Sequence, residues 1–501
     1  MTLLALCAAC TRIGFAPRAG SASDASGDRL TDAAAERVVD GDGGRDAATA
    51  DGRRDQPSVG DGRVVDLTGS TEKPSDKSSA TDHGGPVTGW ASSFGGTKYD
   101  VPTALVVGPT GDIFIGGSFA SPTISFGGMQ LANLGAHDVF VASFTATGQP
   151  RWSKAFGSAA WNDTLGGLAL GPGGQLYLTA SLSAAVDFGG GALQPPGALV
   201  ALSAANGAHL WSKSLPASAP GAIVVDGAGN LLLTGGFLGS VSFGGSTLTS
   251  AGQDDVFLVS YTPSGTHRWS KAYGGTSWDS GGRMVVFGQT VCVSGNFDAS
   301  INFGGATFSA LGVEDMFLAG LSTVDGSHLW SRHLGGTGNE SIFGLVHSAG
   351  SIYIVGYYSG GTTSLGGAPL TGTDGEMFLA SYAVDGTHRW SSHFGGPGYD
   401  VGYDVTVDSL GDVIVIGRNG SPGAPLGGGA SITGAYVAAL STAGAFHWST
   451  ALSAAGEVIR VARDGAALVM LGRFKGSATF GSKTLVSTGD QDIALLRFVP
   501  P

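Results

Sequence analysis

The chain has 501 residues, of which 87 are Gly, 42% are hydrophobic and 13% are charged. Glycine is therefore more than twice as frequent as its usual share of about 7%, but the hydrophobic content excludes a chain disordered throughout and no Gly-x-y period indicates collagen. The formal net charge of −13 argues against nucleic acid as a partner, because phosphate needs an attractive field, and no run of about 18 apolar residues predicts a membrane-spanning helix.

The first ten residues form a short apolar segment that ends at Cys10, directly after the small residues Ala8 and Ala9. This segment resembles the end of a bacterial lipoprotein signal peptide, in which the lipobox cysteine is acylated and becomes the mature N-terminus. Cys7 stands where Leu or Val is usual, and the basic residues that begin such signals are absent. We interpret residues 1–17 as a truncated leader, and the resemblance implies that Cys10 attaches the protein to a membrane through a lipid.

Residues 18–88 differ in composition from the rest of the chain. They are rich in Asp, Ala, Gly, Ser and Arg, and they contain no Trp, Phe or Tyr. Such a segment buries too little apolar surface to offset the entropy that it would lose on ordering. We therefore predict a disordered tether that holds the following domain away from the membrane.

Seven tryptophans recur after the tether at intervals of 58 to 62 residues. They are Trp90, Trp152, Trp211, Trp269, Trp330, Trp390 and Trp448. The surrounding phrase recurs as well, as in Arg151-Trp-Ser-Lys-Ala-Phe156 and His267-Arg-Trp-Ser-Lys-Ala-Tyr273. A fixed period of this length indicates a repeat architecture.

Each repeat contains four short runs that are typical of strands. In one repeat they are Ala104–Val107, Asp112–Phe119, Asp138–Phe144 and the run around Trp152, each bounded by Gly, Asp or Asn. Four antiparallel strands per repeat, arranged radially, make a blade of a β-propeller. We predict an all-β fold over residues 89–501, namely a seven-bladed β-propeller of four-stranded antiparallel blades.

The repeats are out of phase with the predicted blades. The chain enters the repeats on the Trp strand Trp90–Phe94 and ends on the third-strand run Asp492–Val499. We therefore predict that the N-terminal strand completes the C-terminal blade. This arrangement closes the ring and removes the free sheet edges that promote aggregation.

Phrases within the repeats resemble the bacterial seven-bladed β-propeller repeat family. They include Val224-Val-Asp-Gly-Ala-Gly-Asn-Leu-Leu-Leu-Thr-Gly235 and Val405-Thr-Val-Asp-Ser-Leu-Gly-Asp-Val413. Members occur in secreted and cell-surface proteins, so the resemblance implies a place in the bacterial cell envelope, as an outer-membrane lipoprotein or as a cell-surface or secreted protein. The Asp-Gly turn before Trp330, at residues 325–326, also distantly resembles the quinoprotein propeller repeat.

The loops that follow the Trp strands carry the candidate site residues. In a propeller these loops open on the face around the central channel; six of the seven end in a carboxylate, and four place an aromatic residue near it. The candidate ligand-binding residues are Tyr99, Asp100, Trp161, Asp163, Trp278, Asp279, Glu340, Tyr399, Asp400 and Glu457. The loop in the third blade, residues 216–220, lacks both residue types, so the site would be asymmetric.

A second set of acids precedes the third strands, and we predict it on the same face. Its members are Asp138, Asp255, Asp315, Glu376 and Asp492. Together the two sets predict an acidic, aromatic-lined channel mouth that suits sugars or cationic ligands. Alternatively, each carboxylate accepts hydrogen bonds from backbone N–H groups of its own loop, which would also make it recur in every repeat.

Calcium is conceivable at this mouth, but Ca²⁺ takes roughly six to eight oxygens from one locality. Packed sheets stand about 10 Å apart, so carboxylates on successive blades would not easily share an ion. We therefore predict no metal site and no cofactor.

The leading functional hypothesis is a non-catalytic binding or scaffolding propeller at the bacterial cell surface, monomeric and with an unidentified protein or glycan ligand. The alternative is a secreted propeller enzyme, either a quinoprotein-like dehydrogenase or a polysaccharide-active enzyme, that uses the acidic mouth. The adjacent cysteines associated with such dehydrogenases are absent, and no repeat carries a pair of acids unlike its counterparts. These features favour binding over catalysis, although the fold serves many functions.

Overall fold

The computed structural model describes residues 87–128, 130–217, 219–372, 375–396, 398–421 and 432–501. The predicted leader, Cys10 and all but the last two residues of the predicted tether lie outside these ranges. The described chain is all-β and forms a seven-bladed propeller of four-stranded antiparallel sheets, which confirms the predicted fold class. Within the described ranges, no helix has the length and apolar character needed to cross a membrane.

The chain begins its described part with β1 (Val87–Phe94), and the first three blades follow. Blade 1 contains β2 (Asp100–Val107), β3 (Ile113–Phe119), β4 (Thr123–Ser125), β5 (Gln130–Ala132), β6 (Asp138–Phe144) and β7 (Pro150–Phe156). Blade 2 contains β8 (Thr164–Leu170), β9 (Gln175–Ser181), β10 (Val186–Asp187), β11 (Ala192–Leu193), β12 (Gly197–Ser203) and β13 (His209–Leu215). Blade 3 contains β14 (Ala219–Val225), β15 (Leu231–Phe237), β16 (Ser240–Val241), β17 (Leu248–Thr249), β18 (Asp255–Tyr261) and β19 (His267–Tyr273).

The remaining four blades repeat this order. Blade 4 contains β20 (Asp279–Phe287), β21 (Thr290–Phe297), β22 (Ser300–Asn302), β23 (Thr307–Ser309), β24 (Asp315–Ser322) and β25 (His328–Gly336). Blade 5 contains β26 (Asn339–Ser348), β27 (Ser351–Ser359), β28 (Gly361–Ser364), β29 (Leu370–Gly372), β30 (Glu376–Ala383) and β31 (His388–Phe394). Blade 6 contains β32 (Asp400–Val407), β33 (Val413–Asn419), β34 (Gly434–Leu440) and β35 (Phe446–Ser453). Blade 7 contains β36 (Gly456–Asp464), β37 (Ala467–Phe474), β38 (Ser477–Phe480), β39 (Lys483–Val486) and β40 (Asp492–Val499).

The ring is closed by the two ends of the described chain. β1 pairs antiparallel with β40, from Val87 opposite Val499 to Phe94 opposite Ile493, so it supplies the fourth strand of blade 7. The first strands of successive blades contact one another in order, and β36 of blade 7 contacts β2 of blade 1. The predicted exchange of the N-terminal strand is therefore confirmed.

The hydrophobic core lies between the blades. Seven large clusters of buried side chains fill the seven interfaces between neighbouring sheets. The second and third strands are covered on both faces, so every residue of β3 and β6 is buried, whereas the outer strand β7 is mostly half-buried or exposed. This burial explains why the inner runs are continuously apolar while the Trp strands carry Arg, Lys and Ser.

Tryptophan side chains of the outer strands join neighbouring blades. The Trp90 indole in blade 7 donates its N–H to the carbonyl of Ala146 in blade 1 at 3.3 Å, and its ring covers Gly148 of the same turn. The same indole-to-carbonyl bond joins Trp152 to Ala204 at 3.0 Å and Trp390 to Thr442 at 2.9 Å. The recurring Trp is thus a contact between blades, and a glycine in the facing turn, such as Gly148, Gly207 or Gly444, leaves space for its ring.

Every first strand contains one residue more than the stretch of the second strand with which it pairs, and this extra residue lies at the equivalent position in each blade. In blade 7, Val458 pairs with Gly472 and Arg460 with Leu471, so Ile459 has no partner across the ladder. This β-bulge presses the carbonyl of Glu457 against Gly472, where a Cβ atom would lie 2.1 Å from that oxygen. The equivalent distance is between 1.9 and 2.1 Å in four other blades. Those glycines are Gly117, Gly295, Gly356 and Gly417.

Replacing Gly472 with alanine should destabilise the protein by about 3 kcal/mol, the upper end of the range for overpacked sites. The new methyl group meets a backbone carbonyl that cannot move without separating the two strands. Urea unfolding measures the loss. Gly227→Ala is the matched control, because a Cβ atom at Gly227 has no heavy atom within 4 Å; equal stability of the two variants would contradict the proposed clash.

Candidate functional site

The carboxylates that were selected from the sequence lie where the loop from one blade enters the first strand of the next, at a boundary that we call the seam between the two blades. All of them except Glu457 are buried. Asp100 has no exposed surface, and its carboxylate accepts hydrogen bonds from Gly96 N at 2.8 Å and from Ser121 Oγ at 2.7 Å. Asp163 likewise accepts from Ser158 N at 2.8 Å and from Ser183 N at 2.7 Å. These bonds are of the kind expected if the recurring acids shape their own loops.

The second set of acids lies at the same seams as the first set. In the loop after β19, a Cβ atom on Gly274 would lie 2.4 Å from the Asp255 carboxyl carbon, while Gly275 N donates to Asp279 at 2.8 Å. The backbone N of Asp279 also donates to Asp254 O at 2.7 Å, which joins blade 4 to blade 3. Two carboxylates therefore flank one Gly-Gly pair, and the first glycine is required for their close approach.

Burial and like charge raise the pKa values of two of these acids into the neutral range. Desolvation, with a further contribution from Asp255, raises the pKa of Asp279 to about 7. The same two causes, with Asp315 as the neighbouring charge, raise the pKa of Glu340 to about 8. The charged form of each acid is therefore disfavoured at its buried position.

The aromatic residues that were selected from the sequence are more accessible than the acids. Trp161 is 75% exposed, Tyr99 is 50% exposed and Tyr399 is 38% exposed, whereas Trp278 is half-buried. They belong to different loops of one face, so the structure distributes them around the ring. Their binding role stays a prediction, but their surfaces are open to solvent.

Three aromatic rings come together in blades 5 and 6. Phe343 in the bulge of β26 stacks on Tyr357, with ring centroids 5.6 Å apart and planes at 5°. Tyr357 in turn contacts Tyr399, also at 5.6 Å. These three rings form a continuous row of contacting side chains, which we name the aromatic step. The row begins at the partly exposed Tyr399.

Glu457 differs from the other selected carboxylates because it is paired with cations. Its Oε2 atom lies 2.8 Å from the guanidinium of Arg473, and its Oε1 atom lies 3.3 Å from that of Arg418. The hydroxyl of Tyr403 also donates to Oε1 at 3.3 Å. This carboxylate therefore has its charge neutralised within blades 6 and 7.

A charged group that the sequence analysis did not select lies at the inner edge of the blades, beside the channel. The residue after each bulge occupies the same register position in every blade. These seven residues, named here the channel ring, are Ala104, Gly167, Ala222, Arg283, Gly344, Asp404 and Arg460. Four are Ala or Gly, so the three charged residues depart from the repeat; an alignment of the seven repeats would have revealed them.

The channel ring holds its charged side chains through backbone groups. Arg283 donates from Nε to Phe343 O at 2.7 Å, and Arg460 donates from Nη1 to Ile459 O at 2.6 Å. The Asp404 carboxylate accepts from Val405 N and Val461 N, both at 3.0 Å. We name Arg283, Asp404 and Arg460 the channel triad; each is partly exposed.

A surface depression of about 420 Å³ lies on the opposite face of blades 1 to 3. Its lining includes Phe114 of β3 and, from the turns between first and second strands, Pro109, Pro172 and Asp226. None of the candidate residues lines it. Across the described ranges, no group of three or more His, Cys, Asp or Glu side chains is placed to hold a metal ion.

Neither a protein-family model nor a curated protein matches the chain. Among solved structures, BamB from Moraxella catarrhalis is 13% identical, with a TM-score of 0.34 and coverage of 71% of this chain and 88% of BamB. Quinohemoprotein alcohol dehydrogenase from Comamonas testosteroni is 11% identical, with a TM-score of 0.39 over 82% of this chain and 76% of the dehydrogenase. The Dos1 propeller is 10% identical, with a TM-score of 0.43 over 80% and 93%. Similarities at this level carry no functional argument.

The raised pKa values predict that the seam acids make stability depend on pH. Asp279 and Glu340 are protonated in the folded protein at pH values where they ionise in the unfolded chain. Each should therefore stabilise the fold below about pH 4 and lose that contribution as pH rises towards its folded pKa, by up to about 1.4 kcal/mol per pH unit. The free energy of unfolding, measured by urea titration between pH 5 and 8, should fall more steeply in the wild type than in the Asp279→Asn/Glu340→Gln double variant.

The control for this measurement is Asp187→Asn, which removes an exposed carboxylate whose pKa is lowered by backbone hydrogen bonds from Gly189 and Gly191. Its stability should follow the wild type across the same pH range. Parallel curves for the wild type and the double variant would show that the seam acids are already ionised in the folded state.

Proposed function

We propose that this chain is a non-catalytic binding propeller of the bacterial cell envelope, whose ligand contacts the face that carries the loops after the Trp strands. The observation that carries this proposal is the contrast between side chains on that face. The aromatic residues Trp161, Tyr99 and Tyr399 are open to solvent, whereas Asp100 and Asp163 are buried and hydrogen-bonded within their loops. Aromatic surfaces can stack on a ligand without any change in these loops.

The acids on this face are poorly placed for hydrolysis. A glycoside hydrolase needs two carboxyl groups that reach the substrate from opposite sides of the scissile bond. Here Asp279 and Glu340 are at most 2% exposed, and Glu457 is neutralised by Arg418 and Arg473. These features support binding over general acid–base catalysis at the loop face.

A carbohydrate fits the exposed chemistry of the loop face best. Sugar rings present C–H groups that pack on aromatic faces and hydroxyl groups that bond to nearby polar atoms. The aromatic step from Tyr399 through Tyr357 to Phe343 offers several rings in succession, and Trp161 offers an exposed indole in another loop. A protein partner would use the same apolar surfaces, and the experiment below separates the two.

The binding test is a thermal-shift screen of the full chain against a glycan panel and Ca²⁺, followed by calorimetric titration of any glycan that stabilises it. Trp161→Ala and Tyr399→Ala should each weaken glycan binding about tenfold, because each removes a stacking surface worth about 1.4 kcal/mol. Leu410→Ala is the matched control, since Leu410 is 81% exposed in a turn between first and second strands, on the opposite face. Absence of any glycan shift would contradict a carbohydrate ligand and favour protein scaffolding, and a quinone-like absorbance band would contradict a non-catalytic role.

The envelope part of the proposal rests on the lipobox-like sequence at Cys10, which lies outside the described residues. In bacterial cells that express the full chain, the protein should partition with the membrane fraction. Cys10→Ser should release it to the soluble fraction, because no acyl group can then be attached. A Cys7→Ser variant is the matched control, and membrane association that survives Cys10→Ser would exclude the lipid anchor.

A further inference from the structure

At the channel triad the repeats differ in charge. Four positions of the channel ring carry Ala or Gly, while Arg283, Asp404 and Arg460 lie in blades 4, 6 and 7. The bulge before each position sets the side chain at the inner edge of its blade, next to the central channel. A repeat protein that needed only a closed ring could use a small residue at all seven positions.

The two arginines of the triad retain most of their hydrogen-bonding capacity. A guanidinium has five N–H donors, and the hydrogen bonds to Phe343 O and Ile459 O use one donor of Arg283 and one of Arg460. Neither arginine forms a salt bridge with a carboxylate of the described ranges. Both residues are half-buried at the inner edge of their blades, beside the channel.

The charges of the triad act on one another across the channel. Burial and the nearby charge of Arg283 together lower the pKa of Arg460 to about 9. Burial also lowers the pKa of Arg283 and raises that of Asp404, and the attraction between the two charges partly offsets both shifts. The triad therefore holds two cations and one anion with incomplete compensation, and a bound anion would relieve the excess positive charge.

Asp404 sets the charge that a ligand can carry. Two backbone N–H groups, of Val405 and Val461, fix its carboxylate across the seam between blades 6 and 7. With Asp404 ionised, the triad has a net charge of +1, which a single negative charge neutralises. A dianion such as sulfate would keep an unbalanced negative charge beside Asp404, so the triad favours a monoanion.

Gly344 brings blades 5 and 6 into close contact beside the triad. Gly344 lies between Arg283 and Asp404 in the ring, and a Cβ atom there would lie 2.8 Å from Asp404 Cα, so blade 6 can approach closely. The bulge residue just before Gly344 is Phe343, the inner end of the aromatic step that begins at the partly exposed Tyr399. The triad thus lies next to a chain of rings that leads from the loop face.

We propose that the channel triad is a binding site for a small molecule with a single carboxylate group, which Arg283 and Arg460 hold and Asp404 orients by repulsion. The planar guanidinium matches the geometry of a carboxylate through paired N–H donors. This site is separate from the exposed aromatic residues of the loop face, and it does not depend on the function proposed for that face.

The test uses the full chain and three probes at one ionic strength: acetate, the neutral isostere acetamide, and sulfate. Calorimetric titration and thermal shift should show saturable binding of acetate, with weaker binding of sulfate and none of acetamide. Arg283→Gln and Arg460→Gln should each weaken acetate binding at least tenfold. Asp404→Asn should tighten it several-fold, because the repulsion is removed while the shape of the side chain is kept.

Two controls make the outcome decisive. Arg151→Gln removes an arginine that is paired with Asp112 at 3.1 Å, on the outer strand of blade 1, and it should leave acetate binding unchanged. Trp161→Ala should also leave it unchanged, so failure of the loop-face proposal is distinguishable from failure of this one. Absence of saturable acetate binding, folded arginine variants that bind like the wild type, or an unchanged affinity in Asp404→Asn would each overturn the site. If an arginine variant does not fold, the gain of affinity in Asp404→Asn still decides the question.

Discussion

The extra residue in each first strand is the constraint on which this propeller depends. A β-bulge places two residues opposite one, bends the strand and increases its twist. Here it also drives a carbonyl against the second strand, so that Gly472 and its glycine counterparts in four other blades have no room for a Cβ atom. The same bulge changes the phase of side-chain alternation and thereby decides which residue of each blade lies beside the channel.

The blades depend on one another because each sheet lacks a core of its own. The seven hydrophobic clusters all lie between sheets, which is the general property of stacked repeats. At several of these interfaces the Trp indole contacts the next turn, a backbone hydrogen bond joins the two blades at the loop face, and two carboxylates flank a Gly-Gly pair. Blade 7 packs on blade 1 in the same way, although its third strand β40 and its fourth strand β1 come from opposite ends of the described chain.

The fold could be predicted from the sequence because its signals are local and repeat. The period of Trp, the apolar runs and the phase of the repeats together predicted seven blades and the exchanged strand. Burial of the candidate acids could not be predicted, because their partners are distant in the chain: Asp100 bonds to Ser121 and lies near the charge of Asp492. The channel triad could not be predicted from recurring residues, because Arg283, Asp404 and Arg460 depart from the repeat; the pairing with the second strand shows that the two arginines occupy equivalent positions.

In such a ring, residues that recur from blade to blade and residues that occur in only a few blades have different physical roles. A residue that meets a packing need of the blade recurs, and Trp390, Asp400 and Gly417 each have counterparts in most of the other blades. A ligand of ordinary size meets only part of the ring, so the residues that bind it need not recur. Arg283, Asp404 and Arg460 fit that second description, because equivalent positions in the other blades carry Ala or Gly. Their charges are retained beside the channel without completing salt bridges, which is the arrangement expected of a site that is completed by its ligand.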